Sequence, residues 1–219
     1  NGYVQFEADE FWRYDISSDT WTQLGAPALS AYWSTCLAWT GGDEMYATYG
    51  NGTTGFYRYT ISSDTWTQMA NFPEPGVRRM GHALVWPGRG IFVYAAKGDN
   101  SDVFARYDTT ADTWEYLASI PEDMGDGTQI SWGGGKRIFA AADSQRFFVY
   151  DIETDAWEER ESYPEPVSFG AWLCYDGDAS LLLSKGDTTT TIWRYDIPGD
   201  SWESFDDAPA EMTNGATMV

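Results

Sequence analysis

One histidine, two cysteines and a large excess of acid limit the chemistry open to this chain. His82 stands alone among 219 residues, which excludes a His-rich metal site. Ser-His-Asp or Cys-His catalysis would have to run through that one imidazole, and its place in an apolar run favours a core histidine. The 34 Asp and Glu residues guarantee some close carboxylate pairs, the arrangement that glycoside hydrolysis uses. With acids so abundant, such a pair carries no assignment. Cys36 and Cys174 read as two buried thiols with packing roles.

Two further constellations emerge when the chain is laid on its internal register. Tyr32, Trp33, Arg79, Asp126 and Phe169 all fall just before the first strand of a repeat unit, at the mouth of any central channel. Aromatic faces beside a guanidinium and a carboxylate suit a small polar ligand such as a sugar. The competing reading has Trp33 and Phe169 plugging the mouth. Asp9, Asn51, Asp99, Asp143 and Asp187 form the second set, one at each turn after a unit's second strand, with Glu74, Glu122, Asp123, Glu165 and Glu211 on nearby links. A ring of carboxylates could hold a hard cation such as calcium through oxygen ligands, and no other cofactor is expected. Against this, tight turns favour Asp and Asn in any case.

That register comes from one stretch, Phe11 to Trp21, which recurs as Phe56 to Trp66, Phe104 to Trp114, Phe147 to Trp157 and Ile192 to Trp202. The Trp residues are 45, 48, 43 and 45 apart. A period in the forties made of short β runs and tight turns predicts propeller blades, because each unit has faces it cannot bury alone. The units map to residues 33–70, 80–118, 126–161 and 169–206, plus a first unit at 1–25 with only three strands. Residues 215–219 align with 81–85 and supply the missing strand. The expectation is therefore all-β: one domain, 1–219, a five-bladed β-propeller of twenty strands in four-stranded antiparallel blades. The C-terminal strand (214–219) would close the ring by pairing with the N-terminal three, leaving no open edge.

Within each unit, Asp19, Asp64, Asp112, Asp155 or Asp200 stands two residues before the Trp and is expected to accept hydrogen bonds from turn amides. Arg13, Arg58, Arg106 and Arg194 precede the repeated Tyr, with Val149 the exception, and should lie along the sheets and pair with turn carboxylates. The repeated aromatics are expected to pack between blades.

Tyr and Trp separated by six residues, at Tyr14/Trp21, Tyr59/Trp66, Tyr107/Trp114, Tyr150/Trp157 and Tyr195/Trp202, resemble the kelch repeat over the whole chain. The diglycine of kelch units is replaced here by Ala8-Asp9, Gly50-Asn51, Gly98-Asp99, Ala142-Asp143 and Gly186-Asp187. The resemblance implies a binding platform that presents loops to protein partners. A minority of kelch propellers bind sugars or carry enzyme sites, and the copper site of the kelch-bearing galactose oxidases needs two His ligands that this chain lacks.

A net charge of −21 would repel phosphate backbones and anionic membrane surfaces, so nucleic acid is excluded as a partner. No apolar run approaches a membrane span. What remains is a non-catalytic interaction or structural module of an extracellular, cell-surface or virion assembly, with a protein or a glycan as partner. A carbohydrate-binding propeller stands second and a glycoside-active enzyme third.

Overall fold

The computed structural model describes residues 2–6, 10–26, 36–48, 53–73, 83–125 and 129–212, the side chains of 2–6 excepted. The expected closing strand at 214–219, the mouth residues Tyr32, Trp33, Arg79 and Asp126, the turn residues Asp9 and Asn51, and His82 lie outside the described residues.

Nineteen strands and no helix are found among the described residues. The first sheet holds β1 (Gly2–Phe6), β2 (Glu10–Asp15) and β3 (Thr20–Leu24). The second runs β4 (Cys36–Trp39), β5 (Glu44–Thr48), β6 (Phe56–Thr60) and β7 (Thr65–Gln68), and the third β8 (Ala83–Val85), β9 (Phe92–Ala96), β10 (Phe104–Asp108) and β11 (Thr113–Tyr116). β12 (Gln129–Trp132), β13 (Arg137–Ala141), β14 (Phe147–Asp151) and β15 (Ala156–Arg160) make the fourth. The fifth consists of β16 (Leu173–Tyr175), β17 (Ser180–Ser184), β18 (Ile192–Asp196) and β19 (Ser201–Ser204). Every pairing is antiparallel between neighbours in sequence, as short hairpin turns require. β4 lies beside β8, β8 beside β12 and β12 beside β16, so the first strands of successive sheets line one side of a propeller-like, all-β architecture.

Burial follows from that stacking. In the fourth sheet, which lies between two others, the second and third strands are covered on both faces and read as continuous apolar runs: Ile138, Phe139, Ala140 and Ala141 are all buried, as are Phe147 to Tyr150. The last strands of the second to fifth sheets alternate, with the repeated Trp half-buried and its neighbours exposed.

The turn before a sheet's last strand is built by an Asp at its entry. Asp15 Oδ1 accepts from the Ser17 and Ser18 amides at 2.9 and 3.1 Å, and Asp108 and Asp151 repeat the pattern. The second sheet has Thr60 at that place, and Asp43 reaches across from another turn to accept the Ser62 amide at 2.8 Å. At the turn exit Asp19, Asp64, Asp112, Asp155 and Asp200 all sit at φ between 48° and 54°. Asp tolerates this left-handed conformation better than most residues with a side chain.

Candidate functional site

The repeated Tyr, Asp and Trp form a joint between consecutive sheets. In the second sheet the Tyr59 hydroxyl donates to Asp64 Oδ1 at 2.8 Å, the same oxygen accepts the Gly25 amide of the first sheet at 2.8 Å, and the Trp66 indole N–H donates to the Gly25 carbonyl at 2.8 Å. One residue of the preceding sheet is thus held by both its backbone groups. Asp112 and Trp114 hold Ala70 in the same way, Asp155 and Trp157 hold Ala118, and Asp200 and Trp202 hold Glu161. The expectation that these carboxylates serve turn amides is corrected: the amide they accept belongs to the neighbouring sheet.

Each joint also takes an aromatic knob. Phe11 on β2 and Phe56, Phe104 and Phe147 at the start of β6, β10 and β14 meet the next sheet's Tyr edge-on at 4.7 to 4.8 Å between centroids and its Trp at 4.8 to 5.1 Å. Such pairs contribute about 0.5–1.5 kcal/mol beyond the area they bury. Tyr59, Tyr107, Tyr150 and Tyr195 are buried, and Asp supplies the acceptor their hydroxyls would otherwise lack. Burial, then the hydrogen bond to the aspartate, raises the Tyr107, Tyr150 and Tyr195 phenols above their usual range.

Arg58 and Arg106 find other partners than expected. Arg58 pairs with Glu44 at 3.2 Å and Arg106 with Glu115 at 2.7 Å, while Arg194 lies 3.7 Å from Glu203. All three carboxylates belong to neighbouring strands; Arg194 also pairs with a turn carboxylate, Asp176, at 4.0 Å, the kind of partner expected. These exposed or half-exposed pairs shape the sheet surface and add little stability.

Turns and links share one face, as the alternation of strands requires. The Asn100 amide donates to Met124 O at 2.8 Å and Met124 returns a bond to Ser101 O at 3.1 Å, strapping the turn of the third sheet to the link that follows it. Thr188, Met212 and Thr189 repeat the strap in the fifth sheet. On this face Asp187 donates its amide to Phe169 O at 2.9 Å, which puts a turn aspartate beside the one mouth residue among those described. Phe169 is 37 % exposed. Gly186 makes the approach possible, since a Cβ there would lie 2.5 Å from Phe169 O at a φ of +70°. In the fourth sheet a Cβ on Gly125 would lie 1.9 Å from Asp143 Oδ2, so the start of the mouth segment passes directly over that carboxylate.

Asp99 and Asp187 occupy left-handed turn positions at φ 54° and 53°, each followed by a second such residue, Asn100 or Thr188. That backbone is the one for which Asp and Asn are selected in hairpin turns. Among the described residues no group of three or more His, Cys, Asp or Glu is close enough together to hold a metal ion. Both Cys36 and Cys174 remain thiols, and each is half-buried where full burial was expected.

Sequence reasoning missed two features. A cavity of about 460 Å³ opens between the first and second sheets, with Tyr57, Trp66, Asp64 and Gln68 on its walls. In the other three joints Phe72, Ile120 and Tyr163, two residues beyond the held backbone, are buried. Their counterpart in register is Pro27, outside the described residues. The second feature is a set of exposed aromatics, Trp39 at 58 % and Tyr116 at 53 %.

No protein-family model matches the chain, and no curated protein is similar to it in sequence. In structure, 1100 solved chains are similar. One is YjhT, with a TM-score of 0.66 and 14 % identity over 83 % of this chain and 67 % of that one. At that identity the likeness is one of fold, and it joins the five stacked antiparallel sheets in describing a propeller-like β protein.

Proposed function

We propose that the chain forms a five-bladed, kelch-like propeller, closed by residues 214–219 pairing beside β1, and that it acts as a non-catalytic interaction module of an extracellular, cell-surface or virion assembly. The observation that carries this reading is the exposure of Trp39 and Tyr116 on a strongly acidic surface, while the recurring Tyr, Asp and Trp are engaged in holding the neighbouring sheet's backbone. Aromatic side chains are enriched in protein contact surfaces relative to the rest of the surface. With a net charge of −21, the partner is a neutral or cationic protein surface.

A carbohydrate-binding function is the second reading, favoured by the cavity walled by Tyr57 and Trp66 with Asp64 and Gln68 at hand, and by Phe169 beside Asp187. Aromatic walls with a few polar groups suit a sugar. A glycan array probed with calcium and with chelator separates the two. A blank array with folded protein upholds the interaction module. Reproducible binding of one sugar class sinks it, and loss of that binding in Gln68→Ala or Phe169→Ala with an unchanged melting temperature tells the cavity from the mouth. Loss with chelator would assign calcium to the turn aspartates.

A further inference from the structure

The first sheet carries the receiving half of a fifth joint in which nothing is seated among the described residues. Its Tyr14 hydroxyl donates to Asp19 Oδ1 at 2.6 Å, Asp19 holds a φ of 52°, and the Tyr14 and Trp21 rings lie 4.9 Å apart at 39°. The four occupied joints have the same internal geometry, with Tyr to Trp distances of 4.9 to 5.2 Å. The difference is exposure. Trp21 is 51 % exposed where its four counterparts are half-buried, and Ile16 is 71 % exposed where Ile197, in the same register, is 8 %. A site held at its bound geometry before anything binds loses little freedom on binding.

The matching half stands at the end of the fifth sheet. In each formed joint the held residue lies four positions beyond a Trp, which in the fifth sheet is Asp206. The knob is there as well, with its volumes exchanged. The first three sheets present Phe11 beside Leu24, Phe56 beside Met69 and Phe104 beside Leu117, whereas the fifth presents Ile192 with Phe205, whose amide donates to Ile192 O at 3.0 Å. An exchange of large for small across adjacent strands keeps the total volume. Phe205 is 44 % exposed, so this half is open too.

We infer that Asp19 and Trp21 form a backbone-binding site whose occupant is Asp206 of the same chain: the carboxylate accepts the Asp206 amide, the Trp21 indole donates to the Asp206 carbonyl, and Phe205 packs against Tyr14 and Trp21. This deepens the ring reading and rests on it, because strand 214–219 beside β1 brings the fifth sheet next to the first. The occupant is the chain's own because all four formed joints connect consecutive sheets and because the covalent link gives the two halves an effective concentration of order millimolar. Two copies each carrying −21 repel.

Amide hydrogen exchange by NMR, with the mass in solution measured alongside, tests this. In a monomer the Asp206 amide should exchange as slowly as those of Ala70 and Ala118, and Asp19→Gly, which keeps the left-handed turn without strain, should speed it by about tenfold or more. If that variant fails to fold, the wild-type comparison of Asp206 with Ala70 still decides. Unprotected Asp206 with slow exchange at the β1 amides that do not bond β2 would overturn the joint and leave the ring standing. Fast exchange at both would overturn ring and joint together. Protection that appears only as dimer mass rises with concentration would overturn the choice of occupant in favour of a second copy.

Discussion

The indole N–H of Trp114 donates to the carbonyl of Ala70 at 2.9 Å, across 44 residues of sequence and one boundary between sheets. Asp112 takes the amide of the same alanine at 2.7 Å, so Ala70 is held through its backbone alone. Packing between sheets is non-directional, and this pair of bonds gives it a register.

Trp114→Phe should therefore lower stability by about 1–3 kcal/mol, through the lost N–H bond and the smaller ring. Tyr150→Phe should be milder, about 1 kcal/mol, because the hydrogen-bond partner it leaves, Asp155, is exposed to water. Urea unfolding measures both. Equal losses would mean that the hydroxyl and the indole are worth the same, against the geometry.

Acid should unfold the protein through its turns. The Ser17 hydroxyl and the Ser18 amide hold the Asp15 carboxyl at about 2, and the Thr110 hydroxyl with the Ala111 amide lowers Asp108 in the same sense. The folded values lie below the unfolded 3.8. Their stabilisation is therefore complete above about pH 4 and is lost as pH falls toward the folded values. A melting temperature that stays level from pH 5 down to pH 2 would contradict this.

Gly186→Ala places a methyl group against Phe169 O, Ala171 N and Ser168 O, all backbone atoms within 2.8 Å, in a left-handed conformation. A loss of about 2 kcal/mol or more is expected, with Phe169 displaced from Asp187. A calorimetric melt indistinguishable from wild type would mean that the link moves aside without cost.

Burial pushes the Cys36 thiol up to about 12, and burial together with the Asp176 charge raises Cys174. Both stay protonated at pH 8. Alkylation by iodoacetamide, followed by mass spectrometry, should run at least about tenfold slower in the folded protein than in urea.

The period, the five units and the strands within them were legible because they are local: hairpin turns, alternating side chains and a Tyr–Trp spacing are written in neighbouring residues. Asp43 as a turn builder was not, since it serves a turn 19 residues away where Thr60 stands in the register. The partner of Arg106 was misread because sheet pairing sets it opposite Glu115, on the neighbouring strand, so its carboxylate lies across the ladder and not at the turn.

Only the tertiary structure decided what the repeated Asp and Trp hold. Their ligands are the backbone groups of Gly25, Ala70, Ala118 and Glu161, four positions with no side-chain chemistry in common. Backbone amides and carbonyls are the same at every residue, so a site made of them leaves no mark in the sequence and appears only when the sheets are stacked.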